Sequence, residues 1–142
     1  MEVEIEQIEN ETQLKNVLDM CYRILGEQYR QHEIYNYNKW LERLKNKEIL
    51  IFAQNEGKPI SAVLGRSENS ESIIIGFVAC EKNYRMKGIT KKLMKRFEER
   101  ALLFGYKYIT LGAQENSCGF YEKCGYHVIK IIHDQKIYQK VL

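Results

Sequence analysis

The stretch 83-NYRMKGITKKLMKRFEERA-101 decides the fold, because it joins a strongly helical pattern to a glycine near its start. Its apolar side chains recur at four-residue steps, at Ile89, Leu93, Phe97 and Ala101. We predict a helix over residues 86–104, with lysines and arginines on its solvent side. Gly88 disfavours a helix, yet it lies at the head of this one among basic residues. A helix that only packs on a sheet needs no such opening, so we expect exposed backbone to bind something here.

The residues before this helix complete a strand-turn-helix unit. The run SIIIGFVACEK predicts a buried strand, and Arg85, Lys87 and Gly88 fall in the turn that follows it. The first N–H groups of a helix lack internal partners and carry partial positive charge, and a glycine lets an anion approach them closely. The unit therefore predicts a phosphate site. It is neither the P-loop pattern GxxxxGK[ST] nor the dinucleotide pattern GxGxxG.

The patterns in the rest of the chain predict an α/β domain. Alternating residues predict a strand over residues 3–8, and helical spacing predicts helices before Gly26 and around Trp40. NEGKP marks a hairpin turn, YKYITLGA a strand, SCGFYEKCGY a short helix, and the last hairpin turns at Asp134 and Gln135. The order β-α-α-β-β-β-α-β-α-β-β predicts a single domain over residues 1–142. Its mixed central sheet has about six to seven strands, with helices on both faces.

Composition narrows the functions that the chain can have. The 22 basic and 19 acidic side chains leave a net charge of +3, which does not favour nucleic acid as a partner. No apolar run is long enough for a membrane span, and the acidic N-terminal stretch is unlike a signal peptide, so we expect a cytoplasmic protein. The four cysteines and three histidines lack the spacing of zinc sites, so we expect free thiols and no metal.

Two motifs resemble the GNAT acetyltransferase superfamily. The first, YRMKGITKKLM, resembles the acyl-CoA pyrophosphate loop of that family, usually [Q/R]-x-x-G-x-[G/A]. Arg85, Gly88 and Thr90 fall on its three defined positions. Thr90 departs from the small final residue and adds a hydroxyl there.

The second motif, GAQENSCGFYEKCGYHV, resembles the segment that ends the family's core, usually N-x-x-A-x-x-[FL]-Y-E-K-x-G-[FY]. Gln114 stands where asparagine is commoner, and Ser117 where alanine is. The resemblance covers nearly the full chain and is strongest over residues 77–128. It implies a GNAT-type fold for the predicted α/β domain.

The resemblance also implies acetyl-CoA as co-substrate, bound by two segments. The backbone of Val78, Ala79 and Cys80 would pair with the pantetheine arm, in a splay between neighbouring strands. The pyrophosphate would be held by the loop and helix start, namely Arg85, Met86, Lys87, Gly88, Ile89 and Thr90. Gln114 would donate to the cofactor arm. Lys91 is either another phosphate ligand or part of a solvated helix face.

Transfer of an acetyl group to an amine needs a proton for the departing thiolate. The resemblance implies that Tyr121 supplies it. A tyrosine with a pKa near 10 stays protonated at neutral pH, and a thiolate with a pKa near 8.5 gains from a nearby hydroxyl donor. The competing interpretation is an aromatic side chain that only packs between the short helix and the sheet.

The amine nucleophile must also lose a proton, because an alkyl ammonium has a pKa near 10.4. Glu81, at the end of the strand beside the cofactor, is the best-placed base, and Glu33 and His32 are alternatives. Cys80 and Cys118 would lie near the cofactor thiol. No base is close to either cysteine in sequence, so we expect direct attack by the amine rather than an acyl-cysteine.

The acceptor is expected to be a small-molecule amine or a peptide. In the family it is set mainly by the segment between the first two helices and by the last hairpin. Here these are GEQYRQHEIYNYNKW and IIHDQKIYQ, whose aromatic residues either line an acceptor site or cover the core. The main alternative function is a non-catalytic acyl-CoA sensor, and a nucleic-acid-binding helix face is a weaker one. The protein would be a monomer or homodimer.

Overall fold

The computed structural model describes residues 3–142 and contains the strands and helices in the predicted order. The seven strands are β1 (Glu4–Gln7), β2 (Ile49–Asn55), β3 (Lys58–Ser67), β4 (Ser72–Cys80), β5 (Tyr108–Ala113), β6 (His127–Ile132) and β7 (Gln135–Val141). The four α-helices are α1 (Glu11–Leu25), α2 (Tyr37–Arg43), α3 (Ile89–Leu103) and α4 (Cys118–Lys123). Short 3-10 helices over Glu27–Gln31, Lys82–Tyr84 and Glu115–Ser117 occupy three of the connections.

The strands form one seven-stranded mixed sheet in the order β1-β2-β3-β4-β5-β7-β6. All neighbours pair antiparallel except β4 and β5, which are parallel and are connected by α3. A parallel pair needs such a crossover, and the helix predicted after the strand SIIIGFVACEK provides it. The predicted mixed sheet of about six to seven strands is confirmed.

Helices cover both faces of the sheet, as predicted. One face packs against α3 and α4 around Leu93, Phe97 and Tyr138, and we call it the α3 face. The other packs against α1 and α2 around Leu18 and Trp40, and we call it the α1 face. The helix stripes predicted from sequence are the buried sides of α1 and α3.

A β-bulge in β4 sets the shape of the sheet near its centre. Leu64 of β3 pairs with Phe77, and Gly65 pairs with Ile75, so Gly76 is an extra residue without a partner in β3. The parallel register between β4 and β5 ends at the same point, with Ile75 opposite Leu111. Beyond it the described register contains no further β4–β5 pairs, so the two strands diverge.

Two predicted boundaries were wrong. The helix predicted over residues 86–104 begins at Ile89, because Met86 and Gly88 have φ values of 61° and 77° and cannot continue a right-handed helix. The last hairpin turns at His133 and Asp134, one residue earlier than predicted, with φ values of 48° and 64°. His133 therefore lies in the turn rather than on a strand.

Three further observations concern the part of the chain that the structure describes. No helix in it combines the length and the apolar character needed to cross a membrane. No group of three or more His, Cys, Asp or Glu side chains is arranged there to hold a metal ion. All four cysteines are free thiols, of which Cys21 and Cys118 are buried.

Candidate active site

A cavity of about 470 Å³ opens where β4 diverges from β5, beside the N-terminus of α3. Four segments line it: the end of α1, the end of β4 with the following loop, the first turn of α3, and the segment from β5 into α4. The lining residues are Ile24, Leu25, Val78, Cys80, Tyr84, Arg85, Met86, Gly88, Ile89, Thr90, Lys91, Asn116, Ser117, Phe120 and Tyr121. The cavity thus brings together most of the residues that the two motifs singled out.

Gly88 is the N-cap residue of α3, and its backbone is left-handed with φ 77° and ψ 7°. A Cβ at this position would meet no atom within 4 Å, so the backbone conformation, and not crowding inside the protein, favours glycine. The Gly88 carbonyl accepts the first helical hydrogen bond, from the Lys92 N–H at 3.2 Å. The earlier N–H groups of Ile89, Thr90 and Lys91 are left for an external acceptor.

The start of α3 is electropositive. Its first turn contains no acidic residue and Gly88 provides no side-chain cap, so nothing in the described chain neutralises the helix dipole there. Arg85 donates from Nε to the Cys80 carbonyl at 3.1 Å, which ties the loop to the end of β4. This contact leaves the two terminal nitrogens of its guanidinium for an anion. Free N–H groups, an open approach and the guanidinium of the tethered Arg85 together fit a pyrophosphate group.

The other loop residues differ in whether they line the cavity and in how exposed they are. Thr90 and Lys91 line the cavity, while the exposed Lys87 does not. Met86 is fully exposed, and its left-handed backbone helps turn the chain into α3. Ile89 is buried against the α3-face core, which anchors the first turn of the helix.

The end of β4 has one paired edge and one open edge. On the β3 side, Val78 pairs with Val63, Ala79 with Ala62 and Cys80 with Ser61. On the β5 side the register stops at Ile75, so an extended ligand could add to this edge as a strand would. Val78 and Cys80 line the cavity, whereas the Ala79 side chain is buried on the α1 face.

Tyr121 lies on α4 with 8% of its surface exposed and forms part of the cavity wall. Its ring makes an edge contact with Phe120 at 5.2 Å between centroids, and it approaches Tyr126 and Tyr138 at 6.1 and 6.4 Å. Burial, with a smaller effect from Cys124, raises the pKa of Tyr121 to about 12. The hydroxyl is therefore a neutral hydrogen-bond donor throughout the physiological range.

The three candidate bases have different surroundings. Glu81 follows β4 and accepts from Arg23 of α1, with 2.7 Å between Oε1 and Nη1. His32 accepts the Ile34 N–H at Nδ1 over 3.0 Å, and its ring lies 5.4 Å from that of Tyr35. The Glu33 side chain is exposed. None of the three lines the cavity itself.

Gln114 lies at the end of β5 with its side chain exposed, and it does not line the cavity. Its backbone carbonyl accepts from the Ser117 N–H at 2.8 Å and from the Cys118 thiol at 3.5 Å. Asn116 and Ser117 line the cavity in its place. The 3-10 turn over Glu115–Ser117 causes this exchange, because it rotates the residues after β5 relative to an extended chain.

Several of the lining residues were not predicted as site residues, among them Ile24, Leu25, Tyr84 and Asn116. Ile24 and Leu25 end α1, where their apolar spacing is the same as that of core residues, so no sequence signal marked them as part of a site. Tyr84 immediately precedes Arg85, and its hydroxyl accepts from Asn55 Nδ2 at 3.0 Å. Its place directly before Arg85, the first defined position of the loop motif, was the one signal that could have identified it.

Solved structures of N-acetyltransferases share this fold. An aminoglycoside 6'-N-acetyltransferase complexed with coenzyme A superposes with a TM-score of 0.80 at 14% identity, covering 97% of this chain and 96% of that one. PaiA N-acetyltransferase from Thermoplasma acidophilum, in complex with coenzyme A, gives 0.80 at 20% identity and covers 100% of both chains. The ribosomal-protein-S18-alanine N-acetyltransferase from Escherichia coli gives 0.75 at 12%, covering 99% and 94%.

These low identities establish likeness of fold alone. No protein among the curated sequences compared with the chain is significantly similar to it. The sequence profile of the acetyltransferase (GNAT) family matches residues 12–126, which include β4, the loop at Gly88, all of α3 and the α4 motif. The predicted resemblance is thus confirmed over most of the chain, and the protein belongs to the acetyltransferase (GNAT) family.

Proposed function

We propose that this protein transfers the acetyl group of acetyl-CoA to a primary amine of a small molecule or peptide. One observation carries the proposal: a single cavity joins an open strand edge, an uncapped helix N-terminus and a neutral tyrosine hydroxyl. These are the three features needed to hold a pantetheine arm, a pyrophosphate and a departing sulfur. Two of the three solved relatives contain coenzyme A. We further propose that residues 1–142 form one N-acetyltransferase domain.

Acetyl-CoA would bind along two segments of this cavity. The open edge of β4, at Val78 to Cys80, would pair with the amide groups of the pantetheine arm. The N–H groups at the start of α3 would bind the pyrophosphate, with Arg85 and Lys91 adding charge-assisted hydrogen bonds. When bound, acetyl-CoA supplies a thioester whose carbonyl carbon is open to attack by an amine.

Tyr121 would donate a hydrogen bond to the sulfur as negative charge develops on it. Full transfer of its proton to a free thiolate is unfavourable, because a pKa of about 12 lies well above that of an ordinary thiol. With a thiolate pKa near 8.5, the difference corresponds to about 5 kcal/mol. The hydroxyl is therefore expected to stabilise charge in the transition state, and solvent can complete the protonation of the thiolate.

Glu81 remains our choice for the group that collects the amine proton. Arg23 engages its Oε1, while Oε2 has no hydrogen bond to any described residue. His32 is less suited, since Nδ1 already accepts a backbone N–H and the neutral ring then has its proton on Nε2. Glu81 does not line the cavity, so a bridging water would carry the proton to it.

Direct attack by the amine is favoured over an acyl-cysteine. Cys80 and Cys118 direct their thiols at backbone carbonyls, those of Glu81 at 3.6 Å and Gln114 at 3.5 Å. Neither contact would generate a thiolate, which a nucleophilic cysteine requires. Variants Cys80→Ala and Cys118→Ala should therefore retain turnover, as followed by release of free coenzyme A.

The function is tested by measuring thiol release from acetyl-CoA with a panel of aminoglycosides, polyamines, amino acids and peptides with free N-termini. The first and last classes follow from the aminoglycoside and ribosomal-protein relatives. We expect turnover with at least one class, a rise in melting temperature with acetyl-CoA, and a large fall in turnover in Tyr121→Phe. If acetyl-CoA binds and the whole panel is inert, the non-catalytic sensor is the better description. If acetyl-CoA does not stabilise the protein, the proposal fails.

Three further proposals concern the location, the oligomeric state and the partners of the protein. We expect a cytoplasmic location, because all four cysteines are free in the fold. We also expect a monomer or homodimer, and neither nucleic acid nor membrane as a partner. Fractionation of cells and light scattering of the purified protein test the location and the oligomeric state.

A further inference from the structure

Strand β6 forms one edge of the sheet and is exposed along its whole length. It is the last strand in the sheet order, so its outer side has no neighbouring strand in the part of the chain that the structure describes. All six of its residues are exposed. Four of them are branched apolar side chains with 43% to 63% of their surface exposed, namely Val128, Ile129, Ile131 and Ile132. An apolar edge of this kind is prone to pair with another strand.

The opposite edge of the sheet, β1, is protected against such pairing. It is four residues long, and two of these residues are Glu4 and Glu6. Short length and charged side chains are the usual means by which proteins prevent contact between sheet edges. The sequence of β6, HVIKII, is longer and contains one lysine, with no acidic residue and no proline. The contrast between the two edges indicates that β6 has a partner.

A bulge in β6 determines which of its side chains share a face of the sheet. Val128 pairs with Tyr138 of β7 and the pairing resumes at Lys130, so Ile129 is an extra residue. Tyr138 packs on the α3 face, and Val128 therefore lies on that face. Ile131 pairs with β7 two residues before Tyr138, so it lies on the α3 face as well. In a regular strand Val128 and Ile131 would lie on opposite faces.

We propose that the protein forms a two-fold homodimer in which β6 pairs antiparallel with β6 of a second copy, centred between Ile129 and Lys130. In this register Val128 lies opposite Ile131 of the second copy on the same face, and the two-fold axis repeats the contact. A register centred on Ile129 or on Lys130 would place Val128 opposite Lys130 or Ile132, which lie on the other face. The proposal goes beyond acetyl transfer and does not depend on it.

The charges at this edge favour the same register. Lys130 lies opposite Ile129 of the second copy, so the two lysines are not directly opposite each other, where like charges would destabilise the pair. Beyond the strand, Asp134 of one copy falls opposite Gly125 of the other, two residues from Lys123. Asp134 and Lys123 are exposed, and neither forms an ion pair with a described residue. A second copy thus provides an opposite charge for both, which favours it over an unrelated strand.

The test measures the dissociation constant of the dimer by sedimentation velocity over a dilution series of the full chain. The single variants Val128→Lys and Ile131→Glu each place a charge against an apolar side chain of the second copy. In the double variant Val128→Lys/Ile131→Glu the two new charges lie opposite each other across the interface. Leu103→Glu is the matched control, because Leu103 is an exposed apolar residue at the end of α3, outside β6. Circular dichroism verifies that each variant folds.

We expect the wild type to be a dimer that dissociates on dilution, since a pair of strands about 20 Å long buries less surface than a standard interface. Each single variant should raise the dissociation constant roughly tenfold or more, because a charge loses its water against an apolar neighbour. The double variant should return to within about threefold of the wild type, as coupled neighbours do in a double-mutant cycle. Leu103→Glu should leave the dissociation constant unchanged.

Four results would overturn the proposal. The wild type could be a monomer at every concentration, or it could form assemblies larger than a dimer, which a closed two-fold pair does not allow. A dimer that both single variants leave intact, or that Leu103→Glu weakens equally, forms through another surface. Failure of the double variant to restore association shows that Val128 does not face Ile131 of the second copy. If one single variant does not fold, the other and the control still decide between the edge and another surface.

Discussion

Replacement of Gly88 by alanine should weaken acetyl-CoA binding beyond its effect on stability, and a second glycine provides the control. Gly57, in the turn between β2 and β3, has the same φ of 77°, and a Cβ added there would likewise meet no atom within 4 Å. The two sites differ in location: Gly88 lines the cavity, and Gly57 does not. Gly88→Ala and Gly57→Ala should therefore have the same cost of a left-handed backbone, but only Gly88→Ala changes the wall of the cavity.

The cost to the folded protein can be worked out from the backbone angles. A left-handed conformation costs a residue with a Cβ roughly 1–2 kcal/mol, and neither site adds a steric clash. Both variants should lose about that much free energy of unfolding, measured in urea. For a chain of this size, the melting temperature should fall by roughly 3–8 °C in each.

Only Gly88→Ala should also lose affinity for acetyl-CoA. Its new methyl group would stand in the open approach to the N–H groups of Ile89 and Thr90, where the pyrophosphate is proposed to bind. A ligand at 100 times its dissociation constant stabilises a protein by about 2.7 kcal/mol. A tenfold loss of affinity removes about 1.4 kcal/mol of this gain. The assay compares melting curves with and without acetyl-CoA for the wild type and both variants.

Two results would refute this reasoning. If Gly57→Ala reduces the stabilisation by acetyl-CoA as much as Gly88→Ala, the loss reflects general destabilisation and not the phosphate site. If Gly88→Ala retains the full stabilisation by acetyl-CoA, the pyrophosphate does not approach the helix at this residue, and the proposed cofactor position is wrong.

Three further predictions follow from burial and charge. Tyr121→Phe should lower kcat by roughly 10²-fold and leave the acetyl-CoA melting shift unchanged, since the hydroxyl acts only as charge develops on sulfur; an unchanged kcat in steady-state assays contradicts this. Burial raises the pKa of Tyr22 and Tyr121 to about 12, so the free energy of unfolding should fall as pH rises from about 10, where unfolded tyrosine titrates, towards 12. Urea titrations in which the free energy of unfolding does not fall above pH 10 would disprove this prediction. Burial also raises the pKa of the Cys21 thiol to about 12, so Ellman's reagent should modify Cys21 only after unfolding, while the half-buried Cys80 reacts in the native protein. Native modification of Cys21 would show that α1 opens locally.

The sequence predicted the order of elements because local periodicity carries that information. Apolar spacing identified α1 and α3, and glycines marked their ends at Gly26 and Gly105, where φ is 147° and 91°. The same order of strands and helices also predicted part of the candidate site. The loop at Gly88 follows β4 and the segment leading to Tyr121 follows β5, and the carboxyl ends of parallel strands lie at one edge of a sheet.

Other features depend on information that no local pattern contains. Met86 continues the apolar spacing of a helix, so its left-handed backbone was not predictable from periodicity. Gln114 aligns with the family's asparagine, but the 3-10 turn after it moves Asn116 into the cavity wall. The contact between Tyr35 and Gly76 joins residues far apart in sequence and depends on how the α1–α2 connection folds back on the sheet.

The bulge at Gly76 is the feature on which the site depends most. In an unbroken strand Ile75, Phe77 and Ala79 would share one face, yet Ile75 packs on the α3 face while Phe77 and Ala79 pack on the α1 face. The extra residue reverses the alternation of β4 side chains between the two faces of the sheet. As a result Val78 packs on the α3 face and lines the cavity, as Tyr121 does. Without the bulge the same sequence would direct Val78 away from that cavity and fill its place with Phe77. One residue without a partner in β3 therefore both ends the pairing with β5 and orients the strand edge that is proposed to hold acetyl-CoA.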